Sequence, residues 1–231
     1  MTETTGSALP TPAKPARAYR GMGPEQRALE RKQRLLATGL ELFARQGYAR
    51  TPIEQLCAEA KVTTRHFYAL FPSREALLTE LYDRIISDLR HAVLLAISVP
   101  EGSLESRLPL AVQALITHYL ADARIARVGV LESVGVSAAM ETRRRAAIHD
   151  IANIIENYID VLVSRGELPA HDYHLVSVAI VGGINELLAE WLTVAAPPSI
   201  EHLSHEVTRI LYALIRGSAV LPDLSLKETA T

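Results

Sequence analysis

The chain has 231 residues, of which 48% are hydrophobic and only 5% aromatic, with one cysteine and a net charge of −2. This length suits one large domain or a small domain joined to a larger one, and its Leu, Ala, Ile and Val favour packed helices over strands. One cysteine excludes an internal disulfide, which fits a reducing cytoplasm. No apolar run reaches about 20 residues and the N-terminus is not a signal peptide. We therefore expect an all-α, cytoplasmic protein without a membrane partner.

Charge is unevenly distributed along the chain. Residues 1–74 contain 12 Lys or Arg and 6 Asp or Glu, a net charge of +6, whereas residues 75–231 carry −8. A basic first third joined to an acidic remainder is what a nucleic-acid contact confined to one end requires. Residues 1–23 contain prolines with Thr, Ala, Gly and three basic side chains, which is typical of a flexible basic tail.

The first two helices are predicted from their end signals. The first runs from residue 24 until Gly47, with an amphipathic pattern between them. The second begins in TPIEQLCAEA, where Thr51 supplies an N-cap, Pro52 a first-turn proline and Glu54 a capping box. Its apolar residues recur at i, i+3, i+4 and i+7 and include Cys57, which the pattern therefore assigns to the core.

A third helix follows after a short turn. The pattern breaks near Lys61, Thr63 is suited to cap the next helix, and Phe71-Pro72 discourages its extension. Ser73 then caps a fourth helix with a long apolar stripe. Two short helices joined by a turn of about three residues, with one helix before and one after, form the helix-turn-helix arrangement.

The third helix has two chemically different faces. At about 100° per residue, Phe67, Leu70 and Phe71 lie together and form its core face. The opposite half carries a guanidinium, an imidazole and a phenol, and two threonine hydroxyls lie at its amino end, where backbone amides favour phosphate. These groups belong to Thr63, Thr64, Arg65, His66 and Tyr68. Arginine can contact guanine edges and hydroxyls reach phosphates, so this face is predicted to bind a DNA major groove.

The run RLLATGLELFARQGYARTPIEQLCAEAKVTTRHFYALFPSREALL, residues 34–78, resembles the DNA-binding domain of the tetracycline-repressor (TetR) family of bacterial transcription regulators. The resemblance implies phosphate contacts by Thr51, Tyr68 and Arg74. It also implies that the base-contacting end of the third helix is formed by Thr63, Thr64, Arg65 and His66. Lys61, which we include in the DNA-binding set, stands at the family's usual turn glycine and would be strained by about 1 kcal/mol at positive φ.

Two further departures from the family pattern bear on function. Gly39 stands where alanine is usual, and we interpret the smaller residue as allowing two helices to cross closely. Arg65 and His66 are larger than the residues frequent at their positions, so the operator sequence cannot be predicted by analogy.

Beyond residue 98 the chain is predicted to form five more helices, about nine in total. The five predicted helices are one around residues 108–119, a short one at 125–134, a long one at 138–165, another at 171–194, and a last one after residue 199. We divide the chain into a basic tail (1–23), a three-helix DNA-binding domain (24–74), a helical ligand-binding and dimerisation domain (75–218) and a C-terminal tail (219–231).

The resemblance implies a homodimer paired through its last two helices, with a ligand cavity in each subunit. Residues 175–192 are apolar nearly all round, as expected of a helix buried on two sides. The residues predicted for the dimer interface are Ile180, Gly183, Leu187, Leu211 and Leu214.

Polar residues that interrupt apolar stretches are predicted to orient a ligand in an apolar pocket. They are Tyr82, Tyr119, Glu132, Asn185 and Glu186. Two histidine pairs spaced i, i+3 lie near helix starts without further ligands, so no metal and no cofactor is predicted.

The leading hypothesis is a DNA-binding regulator, typically a repressor in this family, released from a near-palindromic operator by an unidentified small molecule. One alternative is a regulator of the same family without a small-molecule ligand, either an activator or one that responds to a protein. Another is a helical enzyme or carrier, for which we find no nucleophile–base set in the sequence. A regulator would be cytoplasmic, and associated with the nucleoid when DNA-bound.

Overall fold

The computed structural model describes residues 23–98, 103–218 and 220, and within them every regular element is helical. The nine α-helices are α1 (Pro24–Gln46), α2 (Ile53–Ala60), α3 (Thr64–Leu70), α4 (Arg74–Ile97), α5 (Leu104–Leu120), α6 (Ala123–Arg127), α7 (Ala138–Ser164), α8 (His174–Thr193) and α9 (Ile200–Ser218). A π-helical turn, Val128–Glu132, directly follows α6. The all-α prediction is confirmed. The predicted tails, 1–23 and 219–231, lie outside the described residues except for Gly23 and Val220.

Two of the three predicted helix caps are present. The hydroxyl oxygens of Thr63 and Ser73 accept hydrogen bonds from the amide three residues further on, at 3.3 and 3.0 Å, and so begin α3 and α4. The prediction for α2 is wrong by one position, because Pro52 is the residue that precedes the helix and no side chain caps it. Thr51 therefore does not cap α2, and no capping box with Glu54 forms.

The first three helices share a core with the start of α4. Phe43 and Phe67 are completely buried there, and burying a side chain of this size contributes about 1.5–3 kcal/mol. Gly39 lies where α1 crosses α4: a Cβ at this position would be 2.5 Å from Leu77 Cδ2 and 3.2 Å from Leu81 Cδ1. The close helix crossing predicted for Gly39 is present, and it fixes the helix-turn-helix against α4.

Helices α4 to α9 form the larger part of the described structure. α5 packs between α4 and α9, and α7 packs along α8 and also contacts α4. The single helix predicted at residues 125–134 is divided into α6 and the π-helical turn. Gly129 in this turn packs directly against the Tyr119 hydroxyl, where a Cβ would collide, and its carbonyl accepts a hydrogen bond from Ser133 Oγ at 2.8 Å. π-Helical turns of this kind frequently mark functional sites.

Helix α8 corrects one expectation from the sequence. An 18-residue window within its 20 residues has a mean hydropathy of 1.5, so α8 is, by length and composition alone, sufficient to cross a membrane, and 17% of that window is buried. A core helix of a helical bundle satisfies the same criterion, and α8 packs along α7 and α9. Its exposed carboxylates Glu186 and Glu190 would be costly in a hydrocarbon layer.

Candidate DNA-binding face and ligand cavity

The outward face of α3 is polar and solvent-accessible. Arg65, His66 and Tyr68 are exposed, whereas Phe67 between them is completely buried. The ring of Phe67 packs edge-on against Tyr68, with centroids 5.5 Å apart, and contacts Phe71 at 5.9 Å. The aromatic core contacts thus hold the helix while its charged half faces away from the protein, as the helical wheel predicted.

The amino end of α3 is locally ordered. The Thr63 hydroxyl accepts from the His66 amide and lies 2.9 Å from His66 Nδ1, so the imidazole orientation is fixed by the cap. Thr64 is exposed beside it. Lys61, in the turn before the cap, has φ 52° and is the one non-glycine residue with positive φ among those described. The condition under which Lys61 would be strained is therefore met, and the left-handed conformation costs about 1–2 kcal/mol.

The turn between α1 and α2 corrects the prediction for Thr51. Its side chain is completely buried: Oγ1 donates to the Gly47 carbonyl at 2.8 Å and accepts from Gln46 Nε2 at 3.2 Å. A buried hydroxyl whose only hydrogen already bonds a backbone carbonyl has no donor left for a phosphate. Its role is to close the turn that precedes α2.

Arg74, at the first position of α4, also holds this turn. Its Nη1 donates to the Thr51 carbonyl at 2.6 Å, and its guanidinium carbon lies 4.3 Å from the centroid of the Tyr48 ring. One of the three guanidinium nitrogens, Nη1, is therefore used within the protein. The phosphate contact inferred for Arg74 stays a prediction and would be made by Nε or Nη2.

An apolar cavity of about 170 Å³ lies inside the larger helical part. Its walls come from α4, α5, α7, α8 and α9, with Gly129 of the π-helical turn at one end. Tyr82, Tyr119 and Asn185 line it, as predicted. No hydrogen bond engages these three side chains within the described part of the chain, which leaves two phenols and one amide available to a ligand.

Burial affects both phenols. Desolvation raises the pKa of Tyr82 to about 12, and burial together with the neighbouring Tyr82 raises the pKa of Tyr119 well above its ordinary value. Both therefore remain protonated at neutral pH and can donate a hydrogen bond. Their hydroxyls are the neutral donors of an otherwise apolar wall.

Glu132 and Glu186 do not line this cavity, and the ligand role predicted for them is corrected. Glu186 is exposed on α8. Glu132 points the other way, toward the helix-turn-helix: its Oε2 accepts from the Tyr48 amide at 2.8 Å, and its Oε1 lies 3.8 Å from Arg127 Nε. A second ion pair, Arg124 with Glu41 at 2.8 Å, links α6 to α1. Glu132 is thus a contact between the two parts of the protein.

The residues predicted for a dimer interface divide into two groups. Ile180 and Leu211 are corrected, because both are buried within the protomer and line the cavity. Gly183 and Leu214 are exposed, and Leu187 is partly buried. Around Gly183 no atom lies within 4 Å of a Cβ position, so another chain can approach the backbone closely.

Two arginines in the cavity wall were missed by the sequence analysis. Arg107 donates from Nη2 to both oxygens of Glu167, at 3.1 and 2.8 Å, and Arg144 pairs with Glu141 at 2.9 Å. Neither lies in a pattern that distinguishes it from a surface arginine, so no sequence signal could have found them. Among the described residues no cluster of three or more His, Cys, Asp or Glu side chains could hold a metal; His174 instead pairs with Glu156 at 3.0 Å.

The N-terminal part of the chain is similar to a known protein family. Residues 35–81 match the sequence profile of the bacterial regulatory proteins of the tetR family. An uncharacterised HTH-type transcriptional regulator of Bacillus subtilis (strain 168), YuxN, is 38% identical over 52 residues, which are 22% of this chain and 18% of that protein. The match thus covers less than a fifth of this relative's length.

Solved structures resemble the whole described fold. A putative TetR-family transcriptional regulator from Syntrophomonas wolfei has a TM-score of 0.70 at 20% identity, covering 84% of this chain and 99% of that one. The transcriptional regulator FadR from Bacillus subtilis, solved in complex with stearoyl-CoA, has a TM-score of 0.68 at 18% identity. The match covers 80% of this chain and 98% of that one. Residues 35–81 are therefore similar to the N-terminal domain of the tetR family, and the described fold is that of solved TetR-family transcriptional regulators.

Proposed function

We propose that this chain, with its TetR-family N-terminal domain and fold, is a sequence-specific DNA-binding transcriptional repressor that a small molecule releases from a near-palindromic operator. One observation carries the proposal: α3 presents Arg65, His66 and Tyr68 to solvent from a helix anchored by the buried Phe67. A helix that served only its own fold would have no need of this combination. We propose residues 24–74 as the DNA-binding domain and 75–218 as the regulatory domain, acting in the cytoplasm.

The proposed contacts divide into base contacts and phosphate contacts. Arg65 and His66 are positioned for base edges, since they lie in the first turn of a recognition helix, from which base contacts are typically made. Thr64 and Tyr68 flank them with hydroxyls, and Lys61 adds a positive charge beside the turn. The exposed base-contacting groups supply sequence discrimination, and the hydroxyls and cations position the helix on the backbone.

A homodimer through α8 and α9 is the second part of the proposal. Leu175 on α8 is 77% exposed, and Ile210 and Leu214 on α9 are 42% and 37% exposed. A second copy would cover these apolar side chains, with Gly183 permitting close approach of the two α8 helices. Two α3 helices would then lie about 34–36 Å apart, in successive major grooves.

The effector is proposed to bind in the apolar cavity. The unpaired hydroxyls of Tyr82 and Tyr119 and the amide of Asn185 would orient it, while the remaining wall is almost entirely apolar. Such a combination is typical of small-molecule sites. The FadR relative with stearoyl-CoA supports a lipid-like effector.

A contact path connects this cavity to the DNA-binding domain. Tyr119 and Gly129 both line the cavity and pack against each other. Three residues after Gly129, Glu132 accepts from the Tyr48 amide in the turn before α2. A ligand that displaced Tyr119 would therefore shift the π-helical turn and with it the helix-turn-helix. Since a ligand changes an equilibrium only by its differential affinity for two states, release requires that it favour the shifted arrangement.

Fluorescence anisotropy of the full chain on a random-sequence duplex tests DNA binding. Affinity should fall by about 10³-fold or more between 50 and 200 mM salt if six or more phosphates are contacted. Arg65→Asp should weaken binding more than tenfold. Arg165→Asp, which reverses the charge of an exposed arginine after α7, is the matched control and should bind like the unchanged chain. Equal affinity of both variants would refute the assignment of the DNA-binding face.

A further inference from the structure

The inner cavity is suited to a small uncharged group. Its volume of about 170 Å³ is close to that of an apolar protein cavity that binds benzene, about 150 Å³. The cations in its wall are already paired, Arg107 with Glu167 and Arg144 with Glu141. Because each guanidinium is already paired with a carboxylate, neither supplies an unpaired positive charge for an anionic head, so the cavity favours the apolar end of a molecule.

A larger space lies beside it, in a groove between α4 and α5. The groove has a volume of about 1010 Å³ and is more open to solvent than the inner cavity. Six residues line both spaces, which places a single layer of side chains between them. They are Leu89, Ala96, Arg107, Ala111, Leu115 and Tyr119.

The groove combines apolar and polar groups. Leu95 of α4 and Leu110 of α5 are 60% and 68% exposed and line it from its two sides. Exposed apolar side chains that are grouped in one groove mark a binding surface more often than singly scattered ones do. Asp88 and His91 of α4 and His118 of α5 are exposed and line the same groove, and they form no ion pair or hydrogen bond within the described residues. The groove is therefore amphipathic.

We propose that the inner cavity and the groove are two compartments of one site for an amphipathic molecule with a single alkyl chain. The end of the chain occupies the inner cavity, and the rest of the chain and the polar head lie between α4 and α5. Rotation of the shared side chains, Leu115 and Tyr119 among them, opens the passage. This inference deepens the proposed function, since it names the class of effector for the same cavity.

The dependence of binding affinity on the length of the ligand's alkyl chain distinguishes a two-compartment site from the inner cavity alone. Each additional buried methylene should tighten binding about fourfold. If the inner cavity alone binds, the gain stops once a benzene-sized volume is filled, at about six carbons. If the groove is the second compartment, the gain continues well beyond that length.

The experiment is isothermal titration calorimetry of the full chain with straight-chain alcohols and the corresponding carboxylates, from six to twelve carbons, below their aggregation concentrations. We expect the dissociation constant to keep falling through twelve carbons in at least one series. Leu110→Asp, which places a charge in the groove at an exposed position, should weaken dodecyl binding at least tenfold and leave hexanol binding unchanged. Leu29→Asp, exposed on α1 and outside both spaces, is the control.

Three results would overturn the inference: affinity that stops increasing at about six carbons, equal effects of Leu110→Asp on short and long chains, or no binding of any chain. None of them concerns DNA. The anisotropy assay on duplex DNA decides the proposed function separately, so failure of the two-compartment site is distinguishable from failure of the DNA-binding assignment.

Discussion

Replacing Glu132 with alanine removes the acceptor of the Tyr48 amide and separates the π-helical turn from the turn before α2. The hydrogen bond is 2.8 Å long and the Glu132 side chain is 17% exposed, so water only partly replaces the lost partner. Hydrogen bonds to charged groups contribute about 1.5–3 kcal/mol, and an amide left without an acceptor loses a similar amount. We therefore expect Glu132→Ala to lower the free energy of unfolding by about 1.5–3 kcal/mol.

Glu132→Gln is the matched control, because its amide oxygen can still accept from Tyr48. It should lose less than half as much stability as the alanine variant. The assay is urea denaturation followed by circular dichroism, with all variants at one protomer concentration, since stability of a dimer depends on it. A Glu132→Ala stability within about 0.5 kcal/mol of the unchanged chain, which is typical of surface substitutions, or equal losses in both variants, would refute the reasoning.

Three further predictions concern the DNA-binding domain. Arg65→Ala should cost about 1–3 kcal/mol of discrimination between a selected site and a scrambled duplex, whereas Arg74→Ala should weaken both duplexes equally, as measured by anisotropy. Gly39→Ala should lower the free energy of unfolding by about 1–2 kcal/mol in urea titrations, because overpacking against α4 exceeds the gain in helix propensity. Lys61→Gly should raise the free energy of unfolding by up to about 1 kcal/mol, since relief of the strained left-handed conformation exceeds the entropy that glycine adds to the unfolded chain. A lower free energy of unfolding would contradict the claim that Lys61 is strained.

The sequence predicts most reliably what depends on neighbours along the chain. The two faces of α3 follow from helical geometry, because Phe67 and Arg65 differ in direction by about 160°. The caps at Thr63 and Ser73 are equally local. The resemblance marked Lys61 as a position where glycine is usual and gave a strain only on the condition of a positive φ; the structure supplies the φ of 52°.

The remaining assignments depend on contacts between distant segments. Thr51 has the residue type of a helix cap or phosphate ligand, yet its hydroxyl closes a turn with Gly47. Glu132 interrupts an apolar stretch, and only the packing of the π-helical turn shows that it faces the Tyr48 amide rather than the cavity. Ile180 lies on a helix that is apolar nearly all round, so periodicity could not separate its cavity-facing side from a partner-facing side.

Selection of binding sites from random duplex DNA tests the central claim most directly. The full chain should enrich a near-palindromic sequence whose half-sites are about 10–10.5 base pairs apart, or a multiple of this, as two recognition helices of a dimer require. The Arg65→Ala chain should enrich that sequence weakly or not at all. Enrichment of no sequence by the unchanged chain, or the same site selected equally well without Arg65, would contradict the account.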